Sequence, residues 1–516
     1  MKHFLLTLSF IFIFTKCFSQ LVYSDVAPIF INRCASCHHT GGGAPFSLTN
    51  YSQADSWSGS IAIALNNNLM PPWQPDTNYT RFLHEKYITA SEKAAILSWI
   101  TTGNLQGDTT LAQTAPVYPP YQLNGTATMT LQIPTYTSTA SSADIYCCFS
   151  LPTGLTQDRY LRALELIPGN PAIVHHAVVT CDTTGSALSD LSGNCFTQPG
   201  QIDITAWAQG TGPSVFPGQA PLKSGMRIKA GSNLVIQIHY PSGSAGLIDS
   251  TKIRLYFYPV NEPGIRPINF STNLQNWTMA MPPNMMSYYN ATDGPLGSPV
   301  SIFAAWPHSH TVAKTIINYA YSGTDTIPLI KIDKWNFEWE QIYIYPFMKK
   351  IPAGYTLFSR HGYDNTVNNP NNPHNPPQWI FAGTSTTDEM LFDSFQWFNY
   401  QPGDELIDIA ALLDQDTLLH RTPAPSNPLG SFAYPNPSRE GFNLGFTLSH
   451  FQEFTVTVMD ISGRVVFESG TLKGNAGAND FHWNGASTNG AAITGGIYIY
   501  TIKSEGTQST GRLIRQ

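Results

Sequence analysis

Residues 232–240 read SNLVIQIHY, a short apolar run closed in by Gly231 and Pro241. Such a run, too short for a helix of ordinary length and flanked by chain-turning residues, predicts a β-strand. TKIRLYFYPV at 251–260 and EQIYIYPF at 340–347 repeat the pattern, and runs of this kind, separated by Gly, Pro and Asn, continue from 126 to 412. Short strands at that spacing predict an antiparallel sandwich or barrel. The stretch is too long for one core, so two sandwiches are expected, over 126–262 and 263–412.

Outward from this centre the pattern changes. Upstream, residues 24–33 carry Val26, Ile29 and Phe30 at helical spacing with Ser24 as an N-cap, and 91–102 form a second amphipathic helix closed by Gly103. A helical unit over 20–108 follows, joined to the strands by a linker at 109–125. Downstream, HRTPAPSNPLGS (420–431) marks a linker at 413–432, and 433–516 read as one more small β-unit. The fold class expected is therefore multidomain and mainly β, with one small all-α domain.

Lys2 and His3, the apolar run 4–15 and small Ser19 form a signal peptide over 1–19, which would take Cys17 with it. No later run approaches the length of a transmembrane segment. Charged residues make up 12% of the chain and the net charge is −7, with no basic cluster. Nucleic acid and anionic membranes are thus unexpected partners.

The helical unit contains NRCASCHHTGGGAP at 32–45. Two thiols in Cys-x-x-Cys can bond to the vinyl groups of haem while the adjacent His reaches the iron. A disulfide would leave His38 unexplained, and zinc lacks a second Cys/His pair nearby. Met70, in NNNLMPPWQPD (66–76), is the only methionine between 21 and 117 and is the candidate for the opposite axial position. The unit resembles a class I cytochrome c, which implies a covalent haem c held by Cys34, Cys37, His38 and Met70. A flexible linker would let it visit the strand-rich part as a tethered electron donor.

Further ligand-type residues cluster downstream: His175 and His176 in PAIVHHAVV (171–179), His239, His308 and His310 in AAWPHSHTVAK (304–314), and Met390 in GTSTTDEMLF (383–392). His308 and His310, two apart, project to one face of a strand. Imidazole suits copper and several other metals, whereas a thioether favours Cu(I). In this order the motifs resemble the copper type II ascorbate-dependent monooxygenases, the peptidylglycine and dopamine hydroxylase family. The resemblance implies tandem jelly-roll-like sandwiches and two copper ions. His175, His176 and His239 would hold the relay copper; His308, His310 and Met390 would hold the one where O₂ reacts with a small-molecule substrate. It also implies a disulfide in the region, read as Cys181–Cys195, while Cys147 and Cys148 leave a vicinal bridge and a free thiol both open. Trp306 and Ser394 stand where peptide-amidating members have Arg and Tyr, which points to an uncharged or aromatic substrate. An external donor, ascorbate-like or a redox protein, would feed the haem. The alternative function is a non-catalytic surface electron-transfer or copper-binding protein; an adhesin is a third. His361 is open as a ligand or supporting residue, and His39, His84, His374, His420, His450 and His482 are read as surface residues.

YPNPSREGFNLGF (434–446), VTVMDISGRVV (456–466) and the end of the chain from 495 resemble the type A C-terminal sorting domain of the type IX secretion system. That implies the secretion machinery as a partner and a secreted or surface-attached protein.

Overall fold

The computed structural model describes residues 20–116, 118, 123–195, 201–419, 429–505 and 507–516. The signal peptide and residues 420–428 of the second linker, with His420, lie outside the described residues. The chain is mainly β, in several sheets.

The helical unit opens with Tyr23–Ile29, which passes into a π-turn at Phe30–Cys34. Its N-cap is Val22, not Ser24, because Asp25 accepts the Val22 N–H at 2.9 Å. Ala90–Thr101 starts at a capping box in which Glu92 N–H donates to Thr89 and Thr89 N–H to the Glu92 carboxylate. Two helices the sequence reading missed, Tyr51–Ser56 and Ser58–Asn66, bury Ala54, Ile61 and Leu65. Their Ser, Asn and Gly residues blur the periodicity. Val26, Phe30 and Trp99 form the core, and Phe432 and Tyr434 from the last unit complete it.

In the first strand-rich part, one five-stranded sheet has Asn233–Tyr240 at its centre. Ile145–Pro152 and His176–Asp182 flank it, both antiparallel. Side chains alternate between faces along the strand. Leu234, Ile236, Ile238 and Tyr240 enter the main core against the facing sheet, so His239 lies on the opposite face. Past Arg266–Pro267 the chain enters two four-stranded sheets, one containing Val300–His308 beside Phe392–Asn399. The core of the first part continues into the second through Phe303, Met348 and Phe398.

The disulfide is Cys148–Cys195, not Cys181–Cys195. Alternation explains the correction. Cys147 and Cys181 point into the main core as free thiols, whereas Cys148 faces outward with Cys195 and Val235. Cys195 N–H donates to Tyr146 O at 3.0 Å, which brings it alongside Cys148.

The helical unit is docked against the sheets rather than held by its linker alone. Phe82 belongs to the second strand-rich core, 5.3 and 5.0 Å from the rings of Tyr343 and Tyr345. Leu83 N–H donates to Ile344 O at 2.7 Å, and Asp76 pairs with Lys331 at 3.1 Å. Lys86 Nζ donates to Gly210 O at 2.7 Å.

Candidate metal and haem sites

In the helical unit, the π-turn and the residues after it present Cys34, Cys37 and His38 to one cavity of about 430 Å³, with Met70 also on its wall. This volume falls in the range of about 300–1,000 Å³ usual for cofactor pockets. Both thiols are free. His38 Nδ1 lies 3.1 Å from Phe46 O, so the backbone carbonyl takes its N–H and leaves Nε2 as the donor toward the cavity. Burial favours the neutral, ligating form of His38. A free thiol pair, an oriented imidazole, a thioether and an apolar wall fit a covalently held haem.

The first histidine cluster gathers on the outer face of the five-stranded sheet. His176 and His239 are register partners on adjacent strands, and His175 N–H donates to His239 O at 3.1 Å. Nδ1 of His175 and Nδ1 of His239 each lie 3.3 Å from Nδ1 of His176. With metal–nitrogen bonds of about 2.0 Å, that separation corresponds to an angle of roughly 110° at a shared ion. The outer nitrogens are held: His175 Nε2 is 3.0 Å from Glu338 and His239 Nε2 is 3.0 Å from Asp144. Such partners fix ring orientation in metal sites. Burial, then the neighbouring His239 and His175, pushes His176 well below its ordinary pKa. A neutral His176 is the form that can ligate a cation.

The second set lies across a cleft. His308 ends Val300–His308, and Met390 precedes the neighbouring strand. Here Nδ1 is the engaged nitrogen: His308 Nδ1 is 3.0 Å from Glu340, and His310 Nδ1 is 3.1 Å from Asp388 O. Nε2 of each ring is thereby left as the donor atom. Buried Glu389 binds the two loops together, accepting N–H groups from His310, Val312 and Met390 at 2.9, 2.8 and 3.0 Å. Burial, then His308, lowers His310 to about 3. Burial acts most strongly on His308, against its charge, but Glu340, Glu389 and Asp393 together outweigh it and raise the pKa. His361 does not face this set; its Nε2 bonds Asp393, itself 3.4 Å from His308 N.

His176, His308, His310 and Met390 line one cavity of about 160 Å³, together with Trp306, Trp277 and Asp203. Trp306 and Ser394 are register partners on adjacent strands. The sequence reading missed Asp144, Glu338, Glu340 and Phe337. Three of these fall in WNFEWEQ (335–341), whose alternation of aromatic and acidic residues was the available signal.

Residues 433–516 match the family described as the secretion system C-terminal sorting domain. The chain is therefore exported by the type IX route, to the cell surface or beyond it, and among the described residues no helix is long and apolar enough to cross a membrane. Tyramine beta-hydroxylase of Caenorhabditis briggsae is 24% identical over 274 residues, covering 49% of this chain and 44% of that protein. The chain thus spans less than half the length of that relative. Among solved structures, PorZ of Porphyromonas gingivalis is 18% identical with a TM-score of 0.14, over 18% of this chain and 12% of that one. Dimeric latent PorU of the same organism is 13% identical with a TM-score of 0.15, over 70% and 34%.

Proposed function

We propose that this exported chain is a copper-dependent monooxygenase that hydroxylates a C–H bond of a small organic substrate. Electrons from an external donor enter through a haem in the helical unit. The observation that carries the reading is two ligand sets near one cleft, which His176 lines from the first and His308, His310 and Met390 from the second: one set has three converging Nδ1 atoms, the other two free Nε2 atoms and a thioether. His175, His176 and His239 hold one copper; His308, His310 and Met390 hold the other. When bound, copper supplies the one-electron steps and the O₂ chemistry that hydroxylation requires. Each turnover consumes O₂, two electrons and two protons and yields the alcohol and water.

The chain's own residues set the conditions. An all-imidazole site accommodates both Cu(II) and Cu(I), while Met390 biases its site toward Cu(I). Glu340, Asp388, Asp144 and Glu338 orient the rings from behind. Cys34 and Cys37 would tether the haem, and His38 and Met70, on the wall of the same cavity, would be its candidate iron ligands. Trp277 and Trp306 offer aromatic faces to a substrate, and Asp203, lifted to about 6 by burial despite His308 nearby, offers a carboxylate to an ammonium group. The relative's name specifies tyramine, and a small aromatic amine suits this wall as well.

The test is metal analysis of the mature chain together with O₂ uptake under a reductant across a panel of small aromatic amines. Two coppers per chain and substrate-dependent uptake are expected. Bound copper with no substrate-dependent uptake would leave a non-catalytic copper-binding or electron-transfer protein.

A further inference from the structure

The segment 335–340 reaches both ligand sets and the cavity of the helical unit. At its start, Trp335 Nε1 donates to His310 O at 3.1 Å. The Phe337 ring stands edge-on between the two ligand sets, 6.1 Å from His176 and 5.8 Å from His310. Glu338 reaches back to His175 at 3.0 Å, and Glu340 reaches forward to His308 at 3.0 Å. Trp339, between these two acids, lines the cavity of the helical unit, as does His175.

One side chain of the helical unit grips this segment. Gln74 Nε2 donates to Asn336 O at 3.1 Å and to Trp339 O at 2.8 Å, and Asn336 N–H donates to Gln74 Oε1 at 2.6 Å. The amide thus satisfies backbone groups at both ends of a short 3-10 turn, Phe337–Trp339. The turn cannot shift without breaking these bonds, and Phe337, Glu338 and Glu340 move with it.

We propose that 335–340 form a strap that fixes the spacing of the two metal sites, with Gln74 as the remote positioning residue that holds it. The inference rests on the copper reading above. It gives the docked helical unit a second role besides any electron transfer: it sets the geometry of a cleft that it does not line. Phe337 lines the cleft in ring contact with a histidine of each ligand set, so a shift of the strap is felt at both.

The experiment uses the full mature chain carrying Cu(II) at both sites. Pulsed dipolar EPR reads the copper–copper distance in the unaltered chain, in Gln74→Met, which keeps the length but loses all three hydrogen bonds, and in Phe337→Ala. Amide exchange on the metal-free chain follows Asn336. A single narrow distance is expected in the unaltered chain, with a longer and broader distribution in both variants and faster exchange at Asn336 in Gln74→Met. The same narrow distance in both variants, with two coppers bound, overturns the strap alone. Fewer than two coppers in the unaltered chain overturns the copper reading and the strap with it.

Discussion

Glu340 and Asp144 each hold one imidazole of the proposed copper sites at 3.0 Å, yet their surroundings differ. The Glu340 side chain is 4% exposed and that of Asp144 is 45%. Water screens an exposed carboxylate strongly and a buried one little. Glu340→Gln keeps the shape and removes the charge. Outer partners of ligating histidines affect metal affinity by roughly 10–100-fold, and the buried partner belongs well inside that range. Asp144→Asn, half in solvent, belongs at or below its lower limit, near the ~1 kcal/mol of an exposed pair. Competition titration of the reduced full chain with a chromophoric Cu(I) chelator separates the two binding phases. Glu340→Gln should weaken only the phase that Met390→Ala also weakens, and Asp144→Asn only the phase lost in His239→Ala. Equal weakening of both phases by Glu340→Gln, or a larger effect from Asp144→Asn, would refute the reasoning.

Acid–acetone extraction should leave visible haem absorbance with the polypeptide, and the Cys34→Ala, Cys37→Ala double variant should release it to solvent. Asp203→Asn should raise KM for an aromatic amine by roughly tenfold, the worth of a charge-assisted hydrogen bond, and leave KM for an uncharged aromatic analogue unchanged. Tyr434→Ala empties a position that is 1% exposed in the core of the helical unit; a loss of about 3–5 kcal/mol is expected by analogy with buried aromatic truncations, read as a fall in the unfolding midpoint of that unit. Peptide mapping under non-reducing conditions should join Cys148 to Cys195, with Cys147 and Cys181 alkylated only after unfolding.

Much of this organisation was legible because local pattern and final packing agree. The run at 232–240 became a central strand, and its alternation put His239 on the face away from the main core, beside His176. His308 and His310 also line one cavity, but His310 lies past the end of the strand that closes at His308, so a turn rather than the expected strand alternation brings them together. What the sequence hid was long-range. Cys181 lies close to Cys195 in the chain, but strand alternation turns it inward and leaves Cys148 as the partner. The helical unit reads as a tethered module because its linker lacks periodicity, while its docking depends on Phe82, Gln74 and Lys86, none of which belongs to a local pattern. Glu338 and Glu340 look like solvated charges until the fold sets a histidine opposite each.

The central claim is that two copper ions occupy these two ligand sets and that one of them is bound by sulfur. X-ray absorption at the copper edge of the reduced, copper-loaded chain reads this directly. The spectrum should show nitrogen ligands and one sulfur for every two coppers, with the sulfur lost in Met390→Ala and kept in His239→Ala. A sulfur contribution that persists in Met390→Ala, or a spectrum of nitrogen and oxygen ligands alone in the unaltered chain, would contradict it.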